Sequence, residues 1–358
     1  MTGGSKTVPK TTQGNFFESF HLGQEIRHAT PRTVTTGDVA IYTALYGARF
    51  ALQSSDEFAK ACGLPRSPMD DICAFHIVFG KTVPDVSLNA MANLGYADCR
   101  FLKPIYPGDT VSTVSRVIGL KQNSNGKTGI VYVRSTGRNQ RDEVVIDYVR
   151  WVMVHKKDLD APAPDTVVPD LPTLVAPENL VVPEGLDFSS YDTVLGGSDF
   201  LWEDYEVGEK IDHVDGRTIA ESEHMLATRI SQNNARIHFD EYGQKPSRYG
   251  QRLVFGGHVI SFARALSYNG LSNACFMAAI NGGRHVNPSF TGDTVYCWSE
   301  IIDKAEIGGR KDIGALRLKT VAAKDQACAE FPYKTDDGDY HPSVLVDLDY
   351  WVFMPRRV

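Results

Sequence analysis

An internal duplication constrains this chain more than any other feature. Phe17-Glu18-Ser19-Phe20-His21-Leu22-Gly23-Gln24-Glu25-Ile26 reads like Trp202-Glu203-Asp204-Tyr205-Glu206-Val207-Gly208-Glu209-Lys210-Ile211, 185 positions later. His28 and His213, Arg32 and Arg217, and Thr33 and Thr218 keep that offset. Pro107-Gly108-Asp109-Thr110-Val111 answers Thr291-Gly292-Asp293-Thr294-Val295 at an offset of 184, and Val145–Val152 answers Leu345–Val352 at 200. Three blocks in one order, with a growing offset, define a tandem repeat with an insertion late in the second copy. Between the copies, Lys156 to Gly185 holds six of the 18 prolines. Proline fixes φ and removes a backbone donor, so this stretch reads as an extended connector. The 358 residues thus divide into a first unit at 1–157, a connector at 158–186 and a second unit at 187–358.

Each copy has the same coarse order. A short Gly-bounded lead (Phe17–Ile26, Trp202–Ile211) precedes a helix. In copy two, Thr218-Ile219-Ala220-Glu221 has the form of a capping box, and Met225, Leu226 and Ile230 recur at helical spacing. A second apolar segment of helical length follows at Ile72–Phe79 and Val259–Leu266. Runs rich in β-branched residues come last: Thr110–Ile118, Gly129–Val133, Val144–Val154, Val295–Ile302 and Leu345–Phe353. Turn signals separate them at Asn125-Gly126, Gly308-Gly309 and Asp337-Gly338. Helices early and antiparallel strands late predict an α+β unit, a sheet wrapped round a central helix, used twice.

Composition narrows the function. The net charge is −7, which argues against nucleic acid as the main partner. No apolar run reaches the ~18–20 residues that a membrane helix requires. The polar start Met1–Lys10 lacks the apolar region of a secretory signal. The six cysteines are scattered without a CxxC pair, which predicts no zinc site, no disulfide framework and a reducing cytoplasm.

The chemistry concentrates in Ser231-Gln232-Asn233-Asn234-Ala235-Arg236-Ile237-His238-Phe239-Asp240 and, soon after, Gly256-Gly257-His258. A polar loop leaving a helix exposes hydrogen-bonding side chains, and a histidine there can move protons near neutral pH. A Gly-Gly pair opening an apolar helix can present backbone N–H groups to a developing oxyanion. Gly256 is the first candidate for that role; Gly257 takes it if the register is one residue off. Close packing of helix on sheet is the competing reason for these glycines.

In these residues the chain resembles the MaoC-like, R-specific enoyl-CoA hydratases, a family of hotdog folds that includes tandem double hotdogs. Ser231, Ile237, His238, Asp240, Gly256 and the strand start Gly292-Asp293-Thr294-Val295 stand in register with the family's motif. The two-copy length and the Gln-Asn-Asn-Ala-Arg-Ile-His-Phe-Asp wording resemble the branch that hydrates mesaconyl-CoA. The resemblance implies a double hotdog, an acyl-CoA thioester as substrate and reversible addition of water across its double bond. It implies no metal and no redox cofactor, because the unsaturated thioester is already activated. It also implies a homo-oligomer, taken here as a homodimer.

Departures from the motif matter. Asn233 stands at the family's catalytic Asp, Ala235 at its Asn and Arg236 at its Pro. An amide does not titrate, so His238 becomes the acid/base and Asn233 a water ligand or simply a helix C-cap. A second carboxylate is open, with Asp240 one option. Arg236 can read a substrate carboxylate bidentately, or form a surface ion pair. Lys245, Arg248 and Arg252 form a basic cluster, either a solvated face or a contact for CoA phosphates. His258 reads as packed core, and His224 and His285 have no role. In copy one the repeat places Ala48 and Gln53 at the positions of Asn233 and His238, so that half is expected to be structural and to shape the acyl tunnel. Asp70-Asp71, before its central helix, reads as a cap, with a catalytic contribution as the alternative. Hydration of other short or carboxylated enoyl-CoAs is the nearest alternative, and two rival functions remain: a hotdog thioesterase, separable by thiol release, and a non-catalytic acyl-CoA binder, separable by the absence of turnover.

Overall fold

The structure, a computed structural model, describes residues 10–357. The first copy runs β1 (Glu25–Arg27), β2 (Arg32–Thr33), α1 (Thr36–Tyr46), α2 (Ala51–Ser54), α3 (Asp56–Ala61), α4 (Asp71–Thr82), β3 (Ala90–Phe101), β4 (Thr110–Gln122), β5 (Thr128–Arg138) and β6 (Val144–His155). Then come α5 (Thr193–Gly196), β7 (Lys210–Asp212), β8 (Arg217–Thr218), α6 (Glu221–Ile230), α7 (Glu241–Gln244), α8 (Gly256–Leu266), α9 (Tyr268–Leu271), β9 (Phe276–His285), β10 (Thr294–Glu306), β11 (Ile313–Lys324) and β12 (Val344–Pro355).

The strands form one antiparallel sheet in the order β1-β4-β5-β6-β3-β9-β12-β11-β10-β7, with β2 beside β4 and β8 beside β10. The expected two sheets are therefore continuous. They join where β3 pairs with β9, Tyr96 opposite Gly283 and Cys99 opposite Ile280. Each half wraps a central helix, which is the double-hotdog architecture. Every residue of α4 is buried, and every residue of α8 after Gly256. A helix enclosed on all sides has no polar face to keep, so both segments read as nearly continuous apolar runs. The two helices touch: His76 Nε2 lies 2.9 Å from the Gly257 carbonyl oxygen and 3.2 Å from Ser261 Oγ.

Five strands fall where β-branched runs predict them, and Gly126, Gly309 and Gly338 make their turns at positive φ. Strands β3, β9 and β11 lack that signal. β9 reads Phe-Met-Ala-Ala-Ile-Asn-Gly-Gly-Arg-His and is a strand because β3 and β12 pair with it on both sides.

The capping box expected in copy two is not formed. Ala220 is the N-cap of α6 and has no side-chain acceptor. Thr218 lies in β8 instead, its hydroxyl 2.8 Å from that of Thr294. A capping box does form in copy one, where Thr35 Oγ1 accepts from the Asp38 amide and Asp38 Oδ2 from the Thr35 amide. The inner face of α6 carries His224, Ala227, Thr228 and Ile230, while Leu226 is 40% exposed. The helix turns the face that its neighbours can accommodate, and here that face is polar.

The proline-rich stretch crosses both copies. Val167 bridges to Leu120, the Val175 amide donates to Asn281 Oδ1 (2.9 Å), and Trp351 Nε1 donates to the Val175 carbonyl (3.0 Å). Proline keeps this chain extended, and the Val167 and Val175 amides find acceptors on the sheet.

Candidate active site

The site is built round the start of α8. Its N-cap, Phe255, offers no side-chain acceptor. The Phe255 amide donates to His224 Nε2 (3.0 Å). The Gly256 and Gly257 amides have no acceptor among the described residues. A helix start carries unsatisfied N–H groups and a partial positive charge, so these amides are available to an anionic or polarised oxygen. Gly257 is buried and Gly256 partly exposed, which leaves Gly256 the more accessible donor. No side chain fits at either position. A Cβ on Gly256 would lie 2.6 Å from His285 Nδ1, and one on Gly257 would lie 2.6 Å from His76 Cε1.

His238 closes the short turn Arg236–His238. Its Nδ1 is 3.1 Å from the Leu253 carbonyl oxygen. A carbonyl only accepts, so Nδ1 carries the proton and Nε2 keeps a free lone pair. Burial pushes the ring down to about 4, so it is neutral at pH 7. Its ring centroid is 5.6 Å from that of Phe255, which brings it to the mouth of α8. Asn233 is buried, and its Oδ1 accepts from the Ala235 amide (3.0 Å), leaving the side-chain NH2 as its remaining polar group.

Three further histidines surround the same turn. His285, at the end of β9, lies against Gly256 with Nε2 3.2 Å from the Tyr96 hydroxyl of copy one. His224 takes the Phe255 amide. His258 is fully buried, as a core residue should be, with Nδ1 2.8 Å from the Tyr46 hydroxyl. Desolvation lowers His224 and His285 to about 4 and His258 to about 3, and His238 lowers His224 and His285 further. The sequence gives His224 and His285 no role. They sit on different elements with no spacing rule between them, and the signal that could have found them is their repeat context: copy one has no histidine at the equivalent positions.

The remaining candidates lie on the outer side of the loop. Arg236 is exposed and makes no ion pair among the described residues. Lys245 and Arg248 are also exposed, beside Tyr242 and Tyr249. Arg252 is held by Glu221 and Glu241. Asp240 is occupied as the N-cap of α7, accepting from the Gly243 amide at 2.9 Å.

Copy one braces the loop. Arg32, itself paired with Asp38, donates to the Ile230 carbonyl at the end of α6. Buried Lys81 reaches Gln232 Oε1 at 3.3 Å. Gly80 allows the Ser231 carbonyl to rest on α4, where any Cβ would collide with it. Asp70 caps α4, accepting from the Ile72 (2.9 Å) and Cys73 (3.3 Å) amides, while Asp71 accepts from the Met277 amide of copy two (2.8 Å).

No group of three metal-ligating side chains occurs among the described residues. The family profile for mesaconyl-CoA hydratase matches residues 6–332. The chain is 62% identical over 348 residues to β-methylmalyl-CoA dehydratase of Chloroflexus aurantiacus, covering 97% of this chain and 99% of that one. It is 58% identical over 347 residues to mesaconyl-CoA hydratase of Cereibacter sphaeroides, covering 97% and 100%. A solved MaoC-domain dehydratase from Chloroflexus aurantiacus superposes with a TM-score of 0.96 at 62% identity, covering 98% of this chain and 100% of that one. A Mycobacterium tuberculosis protein with a double hotdog fold superposes at 0.71 with 22% identity, covering 96% and 99%, and shows the fold alone. With this similarity along nearly the whole chain, the protein belongs to the mesaconyl-CoA hydratase family of double-hotdog, MaoC-like hydro-lyases.

Proposed function

We propose that the chain adds water reversibly to mesaconyl-CoA, giving β-methylmalyl-CoA. The observation that carries this reading is a neutral His238 with a free Nε2 beside an uncapped α8, in a chain alike over 97% of its length to enzymes named for this reaction. His238 Nε2 takes a proton from water as the oxygen bonds to Cβ. The π electrons move toward the thioester, and the Gly256 amide stabilises the developing enolate oxygen. The His238 imidazolium then returns the proton to Cα, so the ring ends neutral and the atoms balance. The Asn233 NH2 donates to the attacking water and orients it. This assigns an amide a job that needs no titration and leaves acid–base work to His238.

Arg236 reads the substrate's free carboxylate, supported by its exposure and its lack of an acidic partner among the described residues. Arg248, with Lys245, takes CoA phosphates. Asp240 and Arg252 hold the loop that carries these contacts, and Gly257 keeps the backbone close to α4. Copy one walls the acyl pocket. No helix among the described residues is long and apolar enough to cross a membrane. The reading includes a cytoplasmic location, which six free, buried cysteines support, and a homodimer, which sedimentation tests.

The direct test is a panel of enoyl-CoAs assayed by loss of enoyl absorbance, with a thiol reagent in parallel. Mesaconyl-CoA should lose absorbance without thiol release; thiol release would favour a thioesterase, and binding without turnover a passive binder. Arg236→Gln should lose at least 10-fold more activity on mesaconyl-CoA than on crotonyl-CoA, a salt-bridge-sized effect. Equal losses would remove Arg236 from carboxylate recognition.

A further inference from the structure

We propose that His285 is a second donor to the thioester oxygen, its ring aimed by Tyr96 of the other copy; this rests on the reading of Gly256 given above. The pairing of β3 with β9 sets Tyr96 opposite Gly283. Residues two apart on a strand share a face, so Tyr96 and His285 lie on the same side of the sheet. There the Tyr96 hydroxyl meets His285 Nε2 at 3.2 Å. Burial pushes the Tyr96 hydroxyl up, so it keeps its proton. Donating that proton to Nε2 leaves the imidazole proton on Nδ1.

The Cε1 corner of the ring faces the helix start, with Nδ1 the nearer nitrogen. A Cβ at Gly256 would lie 2.4 Å from Cε1 and 2.6 Å from Nδ1, against 2.9 Å from Nε2. Nδ1 has no partner among the described residues, and His285 is only partly buried. An Nδ1–H on this edge, together with the free Gly256 amide, gives an oxygen two donors. The positive end of α8 favours a neutral ring there. A neutral imidazole serves this role without gaining or losing a proton: it donates a hydrogen bond that strengthens as charge grows on the oxygen. His238 remains the proton carrier throughout. The second donor thus comes from copy two but is oriented by copy one, which gives the degenerate half a part in the chemistry.

The test uses the full chain with His285→Ala, His285→Asn and Tyr96→Phe, assayed on mesaconyl-CoA. His285→Ala should lower kcat about 100-fold with KM changed less than about 3-fold, the size of a lost oxyanion donor. His285→Asn, whose amide N–H can stand near the Nδ1 position, should recover about 10-fold of that loss. Tyr96→Phe should cost about 5–10-fold in kcat, since the ring tautomer is then free. The second readout is the ultraviolet band of mesaconyl-CoA bound to the slow His238→Gln protein. Polarisation of the thioester should shift the band to longer wavelength, and the shift should shrink in His238→Gln/His285→Ala. Wild-type kcat in His285→Ala, or equal losses in the Ala and Asn variants with an unchanged band, would overturn the proposal. Should His285→Ala fail to fold, the Asn and Phe variants decide it by the same criteria. A wild-type chain that hydrates no enoyl-CoA would instead defeat the parent reading.

Discussion

The two central helices begin at repeat-related positions, and only the first has a side-chain cap. In copy one, Asp70 caps α4 and consumes the Ile72 and Cys73 amides. Its counterpart at the 185 offset is Phe255, whose side chain accepts nothing; of the matching amides, that of His258 donates to the Phe255 carbonyl (2.8 Å) and that of Gly257 has no acceptor among the described residues. Asp71 corresponds to Gly256 and is spent on the Met277 amide. Gln53 corresponds to His238 and donates to the Cys275 carbonyl at 2.7 Å. A small cleft is lined by Ala48, Gln53 and Asp70, the repeat counterparts of Asn233, His238 and Phe255. A helix start can satisfy itself and stabilise the fold, or stay unsatisfied and hold a ligand; the duplicated chain does one in each half.

The largest expected effect comes from giving copy two the residue of copy one. His238→Gln should lower kcat about 1,000-fold, within the range of a lost general acid–base, with an unchanged circular dichroism spectrum. The reverse change, Gln53→His, should create no second site, because Ala48 stands where Asn233 does and Asp70 already takes the Ile72 and Cys73 amides; activity beyond wild type in that variant would break the comparison. Next, Gly256→Ala should cost about 100-fold in kcat, since its methyl group meets the His285 ring.

Acid should separate the halves as well. Six buried histidines are held below the ordinary value of 6.5, and five of them (213, 224, 238, 258, 285) belong to copy two, against His76 in copy one. Each favours the folded state when neutral. Below pH 6.5 the unfolded chain binds protons that the folded chain does not, so stability is intact above that pH and falls toward pH 4. Thermal melts from pH 7 to pH 4.5 should show a steady drop in Tm, while kcat stays on its plateau until His238 titrates near pH 4. The smallest effect is that of the first-copy cap. Asp70→Ala should destabilise the fold by about 1 kcal/mol in denaturant titrations and change kcat less than 2-fold.

Much of this architecture is legible in the linear chain because repetition is. The leads, the turns and five strands follow from local glycine and β-branched patterns, and the 185 offset names the residues that copy one lost. The Gly256-Gly257 pair and His238 stand out for the same local reason: small and titratable residues beside an apolar run. β9 escapes notice because its Ala-Gly composition carries no strand preference, and the α6 face because its burial is set by neighbours. The apparent capping box at Thr218 misleads because β10 claims that residue first.

By itself, then, the amino-acid order determined that one α+β unit is used twice, which half carries His238, and that no carboxylate stands at position 233. Those properties reside in neighbouring residues and a fixed offset. Only the tertiary structure decided that the two sheets fuse through β3 and β9, that Arg32, Gly80 and Lys81 brace the loop of the other copy, and that Tyr96 meets the His285 ring that lies against Gly256. These are contacts between residues far apart in sequence, created by strand register and helix packing, and no local pattern encodes a partner it cannot reach.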